Sequence, residues 1–448
     1  MSHQIAVVDN DKLGGRVRAM FRKAPPSRLD VLSRLPGLIW SEARARAQLA
    51  EGGEVLIARD GAARGVSLRV DEVGMFVRIF TASSAADLDL AIEIVSAMLE
   101  VRGDLAVNED GEPLNDLAAV RRRYDAEFRR AYLEWGPLAI VEAVQDGGSA
   151  ELGGPWANAT LSTEDLERLR EAHATPAELS AAILARLVDT QRAARAVHDD
   201  LAAGRVPTAP DAIVAAAVES WLESDPEPAA IATALGTVSG AVLDNCRLLT
   251  VALVHGPALR AAGASALVRD LRTRAVRAAT ATPSFANELA ARALALAQDE
   301  EFPIALELFD VIVLLPALDT DAIDVSSGSV EVDEDERANE HVNAQSSWLC
   351  NATWAAQVDN NHLPLDTDRA RLYIERALPF APGNPAIFFN LACLAVEIED
   401  HAGALRYISA AKQHGFARMA DIAATAMLAP LRSSPDWSRA LAGELSLS

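Results

Sequence analysis

A pattern of bulky and small side chains near the C-terminus restricts the fold of this chain more than any other feature. A bulky residue, a leucine and a small residue are followed, after a gap, by a small, a bulky and a small residue. They are Phe388, Leu391, Ala392, Ala404, Ile408 and Ala411. Steps of three and four place each group on one face of a helix. Small residues at matching positions let the two helices cross closely, so the pattern predicts an antiparallel helical hairpin.

Two weaker copies of this pattern lie upstream. One has a second helix marked by Ala370, Ile374, Ala377 and Pro382, with its first helix expected near residues 348–355. The other consists of Leu289, Ala293 and Leu296, then Ala305, Phe309 and Ile312, with Pro316 near the expected end. Each repeated unit would bury its apolar face against the next, which predicts a stack of hairpins.

Together, residues 283–416 resemble tetratricopeptide (TPR) repeats, and the tail after them is similar to tails that cap such stacks. The resemblance implies TPR-like helical hairpins and a surface that binds proteins or peptides. Two positions depart from the family pattern: Ala395 replaces a tyrosine, and Phe416 stands where a proline ends the unit. The connection 358–364 is also longer than the family template.

The first 150 residues have a different periodicity. Apolar residues alternate with polar ones over 66–70 and 75–79, which predicts a β-hairpin. Ser84 and Asp87 resemble a capping box before a helix that could cover the sheet. We also predict that Gly136-Pro137 ends a later helix and that 138–144 forms a strand. This region is vaguely similar to an uncharacterised bacterial family, a resemblance that brings no catalytic residues.

The predicted fold class is therefore an α+β N-terminal domain followed by a mainly α-helical region with TPR-like hairpins in its C-terminal third. The predicted domains are a small α+β domain at 1–150, an alanine-rich helical domain at 151–282, and helical repeats with a C-terminal cap at 283–448.

Charge and hydropathy narrow the classes of partner. The chain has 448 residues, and 41 basic against 64 acidic side chains leave a net charge of −23. Between 283 and 448, 25 acidic and 10 basic residues carry much of that excess. Half of the residues are apolar, which excludes a disordered chain. Such acidity makes nucleic acid an unfavourable partner and favours a basic or amphipathic protein or peptide. We expect no membrane span and no secretory signal, hence a cytoplasmic location.

No motif for chemistry accompanies these features. The sequence contains no phosphate-binding glycine loop, no nucleophile elbow and no histidine pair at metal-binding helical spacing. We therefore expect no catalytic residue, cofactor or metal, and predict a non-enzymatic scaffold or adaptor.

The predicted contact residues lie on the long acidic connection between the helices of the middle repeat. They are Asp359, Asn360, Asn361, His362, Asp366 and Asp368. Two alternatives stay open. One is an immunity or antitoxin-like protein that neutralises a basic toxin. The other is an enzyme with a site near Arg69, Arg78, Glu109 and Asp110. The oligomeric state is left open.

Overall fold

The computed structural model describes residues 2–9, 54–70, 74–101, 105–109, 112–114, 117–318, 344–359 and 366–447. The chain divides into two compact units, residues 1–226 and 227–448. This division falls inside the segment 151–282 that the sequence suggested as one domain, so the helices of that segment are shared between both units. The described residues are mostly helical, and a small antiparallel sheet lies near the N-terminus. The coarse α+β-then-helical prediction is confirmed.

The first unit contains an antiparallel sheet with strand order β2-β3-β4-β1-β5-β6. Its strands are β1 (Ser2–Asp9), β2 (Glu54–Ile57), β3 (Val66–Val70), β4 (Gly74–Phe80), β5 (Leu105–Glu109) and β6 (Glu112–Leu114). The predicted hairpin is β3-β4, with Val66 opposite Ile79 and Leu68 opposite Val77. These four side chains are buried, whereas Arg69 and Arg78 on the other face are exposed.

Helix α1 (Ala85–Val101) covers the apolar face of the sheet. It begins as predicted from Ser84 and Asp87. The amide of Ser84 donates to the carboxylate of Asp87 at 2.8 Å, and the amide of Asp87 donates to the Ser84 hydroxyl at 3.3 Å. The same carboxylate accepts from the amides of Ala63, Arg64 and Gly65. One buried Asp87 therefore joins the start of the helix to the turn between β2 and β3.

The prediction that Gly136-Pro137 ends a helix is wrong, and so is the strand at 138–144. Helix α3 (Ala126–Gly147) follows the short helix α2 (Leu117–Arg123) and runs through Pro137. Proline costs the helix one hydrogen bond, but Ile140, Val141 and Val144 beyond it are buried in a core cluster. The burial of these side chains stabilises the helix by more than Pro137 destabilises it. Gly136 has its own role, because a Cβ there would lie 2.9 Å from the amide nitrogen of Ala82.

The rest of the first unit is a second small hairpin and three helices. They are β7 (Ser149–Leu152), β8 (Ala159–Ser162), α4 (Thr163–Ala172), α5 (Pro176–Ala202) and α6 (Asp211–Leu222). Helix α5 begins with a complete capping box between Thr175 and Glu178. It packs against α3, α4 and α6, so it is the central helix of this part of the unit.

The described part of the second unit is helical. Its first helices are α7 (Pro228–Thr237), α8 (Gly240–Leu243), α9 (Cys246–Val254), α10 (Gly256–Ala261) and α11 (Ser265–Ala281). Then come α12 (Pro283–Gln298), α13 (Phe302–Val313), α14 (Ala344–Asp359), α15 (Thr367–Ala377), α16 (Ala386–Glu397) and α17 (His401–Gln413). Two short helices, α18 (Met419–Ala424) and α19 (Trp437–Ala442), and 3-10 turns at Leu378–Gly383 and Ala426–Ser433 complete it. None of the helices in the described ranges is long and apolar enough to cross a membrane.

Helices α12 to α17 form three successive hairpins. Within each hairpin the first helix packs on the second: α12 on α13, α14 on α15, and α16 on α17. The first helices also pack on one another along the chain, α12 with α14 and α14 with α16. All six residues of the C-terminal sequence pattern, from Phe388 to Ala411, are buried. The predicted pattern positions are therefore buried in the last hairpin.

Candidate functional site

In each of the three hairpins, the first helix ends and the second begins toward one edge of the stack. Contacts between the first helices show that these helices run in the same direction. The indole Nε1 of Trp348, in the second turn of α14, donates to Oδ1 of Asn287, in the second turn of α12. The Asn390 amide, early in α16, donates to the Cys350 carbonyl and the Thr353 hydroxyl of α14. Since these helices are parallel, their C-terminal ends lie at the same end of the stack.

The described residues at each of these turns include exposed acidic side chains. The first holds Asp299, Glu300 and Glu301, the second supplies Asp366 and Asp368, and the third holds Glu399 and Asp400. We call these seven residues the acidic edge. Carboxylates that recur at each turn of a stack form a row of negative charge, which attracts cationic side chains of a partner.

The first and third turns have the same backbone geometry. Glu300 and Glu399 both have φ of +63°, in the left-handed region that usually holds glycine or asparagine. The amide of Glu301 donates to the Leu296 carbonyl at 2.9 Å, and the amide of Asp400 donates to the Ala395 carbonyl at 2.8 Å. A glutamate at such a position costs about 1 kcal/mol relative to a residue that adopts it freely. Its presence in both turns is therefore a feature that local stability alone does not favour.

Part of the predicted contact set lies on this edge. Asp366 caps helix α15, its carboxylate accepting from the amide of Arg369 at 3.0 Å, and Asp368 is exposed in the first helical turn. Asp359 is the last residue of α14. Asn360, Asn361 and His362 lie outside the described residues.

Sequence reasoning missed the acidic residues of the other two turns, although a signal for them exists. Five of the six residues of the first hairpin pattern lie 99 positions before a residue of the last, as Ala305 before Ala404 and Phe309 before Ile408. The same offset aligns Glu300 with Glu399. Comparing the turns at this offset would have shown the recurring glutamate.

A buried charged cluster lies behind this edge, on helix α13. Glu307 and Asp310 are 0% and 3% exposed, yet both are ionisable. Arg272 of α11 bridges them, with its Nη2 3.0 Å from Glu307 Oε2 and 2.7 Å from Asp310 Oδ2. Arg260 of α10 donates to Glu307 at 2.9 Å, and Arg369 of α15 contacts both oxygens of Asp310 at 3.2 Å. Charges this far from water need such partners, because an isolated buried carboxylate costs several kcal/mol.

The cluster also perturbs its own ionisable groups. Burial, with the neighbouring Arg272 and Arg369 charges, lowers the pKa of Arg260. Burial and the Asp310 carboxylate raise the pKa of Tyr373 well above its usual value, so its hydroxyl keeps its proton and donates to Asp310. These pKa shifts follow from packing between helices, and the contacts of Arg369 and Tyr373 with Asp310 hold α15 against α13. The cluster thereby positions the second hairpin, and with it Asp366 and Asp368 on the acidic edge.

The groups suggested for an enzymatic site are only partly described. Arg69 and Arg78 are exposed on the sheet face opposite α1, with their guanidinium groups near the rings of Phe76 and Phe80. Asp110 lies outside the described residues. Within the ranges that the structure covers, no group of three histidine, cysteine, aspartate or glutamate side chains is arranged to hold a metal ion.

Comparisons with known proteins add no assignment. No known protein family, no curated protein and no solved structure matches this chain.

Proposed function

We propose that this protein is a non-enzymatic scaffold or adaptor whose TPR-like hairpins bind a basic or amphipathic segment of a protein partner. The observation that carries the proposal is the acidic edge, in which every turn within a hairpin supplies exposed carboxylates to the same end of the stack. A stack of hairpins offers an extended surface that suits proteins or peptides better than a small substrate.

The geometry of the turns supports a binding role over a purely structural one. Glu300 and Glu399 occupy a backbone conformation in which glycine would be more stable. Retaining glutamate there is expected where its negative charge is used. Charges at a rim act mainly on the rate of association and on its salt dependence. Binding should therefore weaken steeply as ionic strength rises.

The immunity or antitoxin-like alternative uses the same surface. An acidic edge that covers a basic toxin face would have the same charge requirement, and the two versions differ only in what the partner does when free. The identity of the partner decides between them.

The test compares two charge-neutralised forms of the full chain. The edge variant carries Glu300→Gln, Asp368→Asn and Glu399→Gln. The control carries Glu167→Gln, Glu171→Gln and Glu223→Gln, three exposed carboxylates of the first unit. Both lose three negative charges, so an effect of total charge alone is equal in the two.

Affinity purification from the native cell, followed by quantitative mass spectrometry, is the measurement. We expect a stoichiometric partner to be recovered with the wild type and with the control, and to be lost or strongly reduced with the edge variant. Equal recovery with all three proteins, or recovery of none, would overturn the proposal. Matched thermal unfolding of the three forms ensures that the edge variant is folded.

A further inference from the structure

The first unit contains a cleft that the acidic edge and its partner do not use. It lies between the turn that joins β2 to β3 and one face of helix α5. Its walls include Arg59, Gly61, Trp156, Gln191, Arg192 and Arg195. Three arginines thus line one depression of an otherwise acidic protein, together with the carboxylate residue Asp60.

The walls of the cleft are held in place. Gln191 is 2% exposed, and its side-chain oxygen accepts from the amides of Trp156 and Ala157 at 3.0 and 3.3 Å. Its side-chain nitrogen donates to the Ala157 carbonyl at 2.8 Å. A Cβ at Gly154 would meet this glutamine at 2.2 Å, so the loop carrying Trp156 follows the glutamine closely. The loop that carries Trp156 is therefore fixed against α5.

The arginines of the cleft keep hydrogen-bond donors that their ion pairs do not use. Arg192 donates through NH1 to Asp189 at 2.7 Å, which leaves its other nitrogens for a ligand. Arg195 approaches Asp60 only to 4.0 Å, beyond hydrogen-bond distance. Arg59 donates its two terminal nitrogens to Glu93, and its buried Nε has no acceptor among the described residues.

We infer that this cleft binds a phosphate group, either as inorganic phosphate or as the phosphate of a small nucleotide. Guanidinium groups match the oxygens of phosphate in geometry and charge, and a charge-assisted hydrogen bond is about twice as strong as a neutral one. The carboxylates of Asp60, Glu93 and Asp189 beside these arginines weaken the attraction, whereas acidic side chains more than about 8 Å away are screened at physiological ionic strength. Trp156 offers a ring surface on which a base could stack.

The test is isothermal titration calorimetry on the full chain at low ionic strength, with inorganic phosphate and AMP as the two probes. We expect Arg192→Gln and Arg195→Gln each to weaken binding about tenfold, as the loss of one charge-assisted bond implies. Asp60→Asn should strengthen binding severalfold, because it removes the carboxylate that faces Arg195. Arg205→Gln, beyond the end of α5 and paired with Asp200, is the control and should leave binding unchanged.

The two probes distinguish the source of the phosphate. Tighter binding of AMP, with the difference removed by Trp156→Leu, identifies a nucleotide, whereas equal binding identifies phosphate itself. The inference is overturned if neither probe binds at millimolar concentration. It is also overturned if the cleft variants bind as the wild type does, or if Arg205→Gln weakens binding equally.

Discussion

The hydroxyl of Tyr373 donates a hydrogen bond to Oδ1 of Asp310 at 2.9 Å, in the contact between α15 and α13. Both side chains are buried, and the two residues lie 63 positions apart in the sequence. Arg369 contacts the same carboxylate from one turn earlier on α15. From α15, Arg369 thus supplies a positive charge and Tyr373 a hydrogen bond to the buried carboxylate of Asp310 on α13.

Removing the hydroxyl tests this contact directly. Tyr373→Phe should lower the free energy of unfolding by about 1 kcal/mol, the net value of a typical hydrogen bond. Asp310→Ala should cost about 3 kcal/mol or more, because it leaves Arg369 and Arg272 facing a buried site without their carboxylate. Chemical denaturation measures both. Tyr407→Phe, at a less buried tyrosine, is the control, and an equal loss there would contradict the assignment.

Alanine substitutions at two helical glycines should change the stability of the protein in opposite directions. Gly256→Ala places a Cβ 2.9 Å from Cγ of Glu307 and pushes on the buried charged cluster, so we expect a loss of about 1–3 kcal/mol. Gly236 is exposed, and a Cβ there meets nothing within 4 Å. Gly236→Ala should therefore stabilise the protein by about 0.5–1 kcal/mol. Thermal unfolding of the two variants should shift in opposite directions, and shifts of the same sign would refute the packing at Gly256.

A substitution at the left-handed turn residue Glu399 should raise stability and weaken partner binding. Glu399→Gly should raise the free energy of unfolding by about 1 kcal/mol, because glycine adopts φ of +63° without strain. The same change should weaken binding of the proposed partner. Glu375→Gly, in the exposed interior of α15, removes the same charge but should destabilise by about 1 kcal/mol. Loss of stability in both variants would contradict backbone strain at Glu399.

The histidine behind the cleft wall predicts a pH dependence. Burial lowers the pKa of His198 below its ordinary value of 6.5, so the folded state disfavours the protonated ring more than the unfolded state does. The contribution of His198 to the free energy of unfolding is therefore fully present above about pH 6.5. It falls as the pH drops below that value, by at most about 1.4 kcal/mol per pH unit. Thermal unfolding from pH 8 to 5 should show a smaller decline for His198→Gln than for the wild type. Parallel declines would contradict the buried position of the ring.

Local sequence signals were most reliable where a single period extended over a whole element. The alternation of Val66 and Leu68 with polar neighbours predicted the β3-β4 hairpin, and Ser84 with Asp87 predicted the start of α1. The steps from Phe388 to Ala411 predicted the last helical hairpin. They were least reliable at Pro137, where burial of the following turn outweighed the preference of proline to end a helix.

By itself the sequence determined the β3-β4 hairpin, the start of α1, the last helical hairpin and the concentration of negative charge in the C-terminal third. These properties depend on neighbours along the chain, so they can be inferred from spacing and composition. The tertiary structure alone decided which distant charges meet. Glu307 and Asp310 share Arg272 across two helices, the turns with Glu300 and Glu399 lie on one edge, and Arg59 faces the arginines of α5. Such encounters depend on how helices and turns pack, and no local period specifies that.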